Sequence, residues 1–172
     1  MPGKGSKSLD MHWRPHERIE ALVGELYPGA DVATALNQLM LEIRNGQVEV
    51  RTHKQLKRPP PVAGESLDKK TLSIKKPTFN ILTGARDNDW GTYSAIYGLG
   101  TPRAKSRISP FATLYIENAL LSKKEGVDLA KAILDAAQEF YKARGLKFDP
   151  ATAIKDVHPI VNAALERMDR DG

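Results

Sequence analysis

The chain contains no cysteine in its 172 residues, which excludes disulfides, thiolate-held zinc and thiol catalysis while leaving the redox compartment open. Aromatic residues make up only 6% against a hydrophobic content of 41%. A core of Leu, Ile, Val and Ala is therefore expected, large enough for one main domain with extensions and suited to closely packed helices. No stretch approaches the roughly 18 apolar residues of a membrane span. The opening Met1-Pro2-Gly3-Lys4 likewise lacks the apolar run of an export signal. A cytoplasmic protein without a membrane partner is the expectation.

The glycine signatures of nucleotide binding are also missing. Gly98-Leu99-Gly100 is not followed by the third glycine of a dinucleotide fingerprint, and no Gly-Lys-Ser or Gly-Lys-Thr occurs. A calcium loop opening at Asp87 would need glycine where Thr92 stands. No internal repeat shows at periods of 20–50 residues. No cofactor is expected, and no enzyme class is assigned.

What is present is charge, and it is local. The net charge is +5. The stretch 51–107 alone carries twelve Lys or Arg against four acids, an excess of eight, so the rest of the chain is slightly acidic. Such a concentration attracts anionic partners through a field that salt screens.

The expected fold class is mainly α with a small β element (α+β): an N-terminal helical hairpin, a central basic β/loop insert and a C-terminal helical bundle. Residues 1–16 read as a flexible basic arm. Within it His12 and His16 have metal-pair spacing, but Pro15 between them argues against a shared helix face. Segment 17–56 reads as the hairpin plus a strand. Ile19, Leu22, Val23 and Leu26 recur at helical spacing up to Pro28-Gly29; Asp31 caps a second helix ending at Asn45-Gly46; and 47–52 alternates in strand fashion.

This order resembles the first half of a winged helix-turn-helix, with Asn37 and Gln38 as the polar residues of its second helix, but that helix has no Arg or Lys before Arg44. A core-forming hairpin is the plainer reading. Segment 57–66, with Pro59-Pro60-Pro61, reads as a stiff linker. Segment 67–172 reads as a small β/loop element and the bundle. Its strands are expected at 67–76 and 78–82, a polar loop at 83–91, and helices at 109–123, at 127–144 and after His158-Pro159. The short N-terminal helices bury little alone, which argues that the two arms share one core.

The candidate nucleic-acid-binding residues are the cations Arg51, Lys54, Lys57, Arg58, Lys69, Lys70, Lys75, Lys76, Arg86, Arg103, Lys105 and Arg107, with Trp90, Tyr93 and Tyr97 as stacking rings. Cations on phosphates and rings on bases are the two means by which single strands are held. Arg103, Lys105 and Arg107 alternate with small residues, so an extended chain would turn all three to one side.

The function expected is a nucleic-acid-binding module, for DNA or RNA, that is a non-catalytic subunit of a larger protein–nucleic acid assembly with other protein subunits. One alternative is a protein-interaction or scaffolding subunit with an acidic protein partner. Another is a metal-dependent nuclease using Asp87 and Asp89.

Overall fold

The computed structural model describes residues 5–56, 69–100 and 108–148. The protein is mainly α with a small β element. In chain order it runs β1 (Ser6–His12), α1 (Trp13–Leu26), α2 (Val32–Arg44), β2 (Lys69–Lys75), α3 (Lys76–Tyr97) and α4 (Ile108–Ala143). Among the described residues, no helix is long and apolar enough to cross a membrane.

The chain divides into two compact units, Met1–Lys124 and Glu125–Gly172. In the first, β1 and β2 pair antiparallel as a two-stranded ribbon, with Leu9 opposite Leu72 and Ser6 opposite Lys75. Alternation along the strands turns Leu9 and Ile74, both buried, with half-buried Leu72, to the inner face. Four helical segments cover that face. Ile19 and Val23 of α1, Leu36, Leu39 and Met40 of α2, and Leu82 of α3 meet Phe111, Leu114 and Ile116 of α4 in one core.

The flexible arm expected at 1–16 is thus corrected over its described part, which is strand followed by helix. Pro15 does not prevent this, because the third position of a helix has an orphan amide that proline can replace without loss. The same device starts α3, where Pro77 follows Lys76. The α2 boundary agrees with the sequence: Asp31 adopts extended φ/ψ, and its Oδ1 accepts the Thr34 amide at 2.7 Å.

Two β expectations are overturned. Residues 47–52 form no strand: the Gln47 and Val48 amides donate back to the Glu42 carbonyl of α2, and the chain beyond them turns its amides to α4. Arg51 donates to Ser122 Oγ at 2.9 Å and His53 to Asn118 Oδ1 at 2.9 Å. The strand and loop expected across 78–91 are instead the first turns of α3. There Thr78, Leu82, Tyr93 and Tyr97 are buried at steps of four and eleven, a helical stripe. The turn-forming Gly84, Asp87, Asn88 and Gly91 all lie on its exposed side. Tertiary burial has overridden local propensity.

The break expected near 124–126 is absent, since α4 is a single helix of 36 residues. Its stretch from Phe111 to Leu120 is buried at every position, so about three turns of helix are wrapped on all sides. In the second unit Ala137 is buried, and the helix closes on Gly145 at φ 66. Leu146 then donates back to the Tyr141 carbonyl at 2.9 Å, the left-handed C-terminal stop that glycine favours. The linker at 57–66 and the segment after His158 lie outside the described residues.

Candidate nucleic-acid interface

The ribbon has two unlike faces. Its inner face is apolar, while the outer face presents exposed Ser8, Thr71, Ser73 and Lys75. By register Ser8 and Ser73, and Thr71 opposite Asp10, stand at the centre of that face, and the backbone of Lys69 lies opposite His12 at the far end. Beside it, Lys76 opens α3 and is exposed. Among the described residues, neither Lys75 nor Lys76 has a carboxylate partner through its ammonium group.

What fixes this end of the ribbon is Asn37, one of the two polar residues that the sequence offers on α2. Its Oδ1 accepts the Lys75 amide at 3.2 Å and the Thr78 hydroxyl at 2.6 Å. It thereby takes the place of an N-cap for α3, whose own Lys75 makes no capping bond. Asn37 is therefore committed to holding the strand–helix junction and is not a base reader, whereas Gln38 is exposed.

The structure brings together only part of the sequence-derived set. Lys69, Lys70, Lys75 and Lys76 share the second strand and the helix start. Arg51 and Lys54 are exposed on the irregular segment that follows α2. Arg51 stands with Val50, Thr52, Asp89, Thr92 and Tyr93 around an open pocket of about 400 Å³. Arg86 is largely covered on α3, with Nε 3.5 Å from Asp87 Oδ1. Lys57, Arg58, Arg103, Lys105 and Arg107 lie outside the described residues.

The stacking role assigned to two of the rings is corrected. Tyr93 is 2% exposed and Tyr97 8%, so neither can receive a base. Their hydroxyls belong to a buried polar cluster around Asn118, which is itself fully covered. Asn118 Nδ2 donates to Tyr93 Oη at 3.2 Å and Tyr97 Oη at 3.0 Å, and Tyr97 in turn donates to the His53 carbonyl at 2.9 Å. The rings also pack edge to face, with centroids 5.4 Å apart. Burial pushes the Tyr93 phenol well above its ordinary value, the Asn118 bond offsetting only part of that shift. Burial likewise pushes Tyr115 up to about 12, with Asp89 adding to it. Trp90 is half-buried against the core.

The two-carboxylate site is corrected as well. Side chains two apart on a helix point about 200° away from each other, so Asp87 and Asp89 of α3 cannot clamp one cation. Asp87 is exposed beside Arg86, while Asp89 lines the pocket. Among the described residues, no group of three His, Asp or Glu is placed to hold a metal.

Charged pairs elsewhere in the first unit serve packing. Glu117 of α4, 2% exposed, takes both Arg18 Nε at 2.5 Å and Nη2 at 3.3 Å. That bond raises the Arg18 pKa further. Glu42 of α2 receives the Tyr27 hydroxyl at 3.1 Å and the Lys123 ammonium at 2.7 Å, and Lys123 lies 3.9 Å from the Tyr27 ring centroid. Burial and the Glu42 carboxylate together push the Tyr27 phenol upward. These contacts tie α4 to α1 and α2.

Sequence reasoning missed the ribbon's hydroxyl face, since β1 was not foreseen. A signal existed: Lys7-Ser8-Leu9-Asp10-Met11 and Lys70-Thr71-Leu72-Ser73-Ile74 are near copies. Their offset, from Lys7 to Lys70, is longer than the 20–50-residue periods of solenoid repeats. No family model, no curated protein and no solved structure matches this chain.

Proposed function

We propose that the chain binds double-stranded DNA by laying the outer face of the β1–β2 ribbon in the major groove, as one part of a larger protein–nucleic acid assembly. The observation that carries the reading is the ribbon itself: one face is committed to the core, and the other bears the small hydroxyls of Ser8, Thr71 and Ser73, with Lys75 at the strand end. A two-stranded ribbon fits the width of the B-form major groove, where Ser and Thr can donate to or accept from base edges. Lys75 and Lys76 then supply cations for the flanking phosphates.

Two further observations favour duplex DNA over the other nucleic acids. The A-form major groove of RNA is too deep and narrow for such an element. Single-strand binding rests on exposed rings, and Tyr93 and Tyr97 are buried. The reading requires the chain to share a compartment with DNA.

The test is fluorescence anisotropy with random-sequence duplex DNA, single-stranded DNA and duplex RNA across a salt series. Tightest binding to duplex DNA is expected, with log affinity falling linearly with log salt. Lys75→Ala should lower that slope by about one unit. Ser73→Glu adds a second acidic residue to a face whose register already holds Asp10 opposite Thr71, and should abolish binding while the far-ultraviolet circular dichroism is unchanged. Equal binding of single strands, or full affinity in folded Ser73→Glu, overturns the ribbon as the interface.

A further inference from the structure

The first unit is built twice. The order β1-α1-α2 is repeated as β2-α3-α4, and both strands have seven residues. β1 starts at 6 and β2 at 69, α1 at 13 and α3 at 76, so both strand and helix recur at an offset of 63 residues. Ile19 of α1 and Leu82 of α3 stand at the same offset, and both have 0% exposure. The near-copied pentapeptides that begin at Lys7 and Lys70 keep it too.

The ladder itself obeys this equivalence. Leu9 pairs with Leu72, its own counterpart, so this pair lies on the local two-fold axis of the ribbon. On either side, Ser8 with Ser73 exchanges for Thr71 with Asp10, and Lys7 with Ile74 exchanges for Lys70 with Met11. A register shifted by one residue would move the local axis off the Leu9–Leu72 pair, to a point between two pairs.

The helices cross between the halves reciprocally. Asn37 of α2 holds the start of α3, and Glu117 of α4 holds Arg18 of α1. Each half therefore completes the other, as two subunits of an isologous dimer do.

We infer that a single chain is a complete two-fold reading unit, and that the duplex it takes carries a short imperfect inverted repeat centred beneath the Leu9–Leu72 pair. The inference rests on the duplex-binding reading above. A protein dyad aligned on a DNA dyad presents the same backbone path to both half-sites, which is why two-fold readers select palindromic sequence. The repeat is imperfect because equivalent positions carry different residues: Asp10 and His12 on the first strand stand where Ser73 and Lys75 stand on the second.

The experiment is selection of the full chain on a random-sequence duplex library, followed by native mass spectrometry of the chain with the selected duplex. One chain per duplex and a short inverted repeat with unequal halves are expected. Inserting one base pair at the centre of that repeat should weaken binding by about tenfold or more, the cost of roughly one lost base-pair match. The double variant Asp10→Ser, His12→Lys, which gives the first strand the residues of the second, should make the recovered repeat more symmetric. Two chains per site, or an enriched motif without inverted symmetry, overturns this inference while leaving duplex binding intact. Failure of every duplex to bind overturns both readings together.

Discussion

The halves 6–44 and 69–124 agree to the residue through their strands and helix starts and then diverge. α1 has 14 residues and α3 has 22. The first half meets the core mainly through aliphatic side chains, and its charged contacts are ion pairs to α4, exposed Arg18 with Glu117 and buried Glu42 with Lys123. The second half encloses a polar cluster, Tyr93, Tyr97 and Asn118, inside the fold. Agreement is confined to the ribbon and the residues that seat it, and divergence begins where the chain leaves it. On the duplex-binding reading proposed above, a surface that must match an external dyad constrains both strands alike, whereas helices behind it need only fill the core.

The sharpest break of this comparison is Asn118→Ala. It leaves the His53 amide and the Tyr93 hydroxyl without their buried partner, at about 1–3 kcal/mol each, and adds a cavity. A loss of about 4 kcal/mol in urea unfolding is expected, with no equivalent residue in the first half whose removal costs as much. A loss below about 1 kcal/mol would show the cluster to be hydrated and not structural.

Next in size is the matched pair Ile19→Ala and Leu82→Ala. Both side chains are fully covered at equivalent positions, so each should cost about 3 kcal/mol. Similar losses for the two support equivalence. A threefold disparity would confine it to the backbone.

Asp31 distinguishes the two helix starts at smaller amplitude. Its bonds to Thr34 hold the carboxyl below the ordinary value of 3.8. A group depressed in the folded state contributes stability above its unfolded pKa and loses it as the pH falls through the folded one. Asp31→Ala should therefore reduce stability at neutral pH and remove part of the acid dependence below pH 3.8, as thermal melts across that range will show.

The smallest effects are expected from Gly24→Ala in α1 and Gly91→Ala in α3. Both glycines are exposed within helices, and nothing lies within 4 Å of an added Cβ. Each change should stabilise by about 0.5–1 kcal/mol. A gain at Gly24 with a loss at Gly91 would restore the loop that sequence propensity suggests for 83–91.

What could be read from the sequence follows the range of the forces involved. α2, its Asp31 cap and β2 rest on local periodicity and capping, and their residues announce them. So do Lys69, Lys70, Lys75 and Lys76, whose charge needs no fold to be noticed. β1 could not be seen in the same way, because Ser6–His12 is a strand only through a partner far along the chain. α3 carries turn-forming residues on its solvent side, and only the buried stripe from Thr78 to Tyr97 outweighs them. Tyr93 and Tyr97 drew attention by lying close to cations in sequence, yet their hydroxyls are engaged by Asn118, a residue on another helix.

The ladder that ties Ser6 to Lys75 and His12 to Lys69 also sets a timetable for synthesis. Closing so long a loop costs little more equilibrium free energy than closing a short one, but it delays the contact. At about 5–20 residues per second on the ribosome, the first strand emerges several seconds before its partner exists. Through that interval its backbone donors and acceptors have no mate in the same chain, and on a crowded polysome the nearest matching strand is the β2 of a neighbouring nascent molecule. Intermolecular exchange of β2 is therefore the expected misassembly, and high expression is the condition that would reveal it.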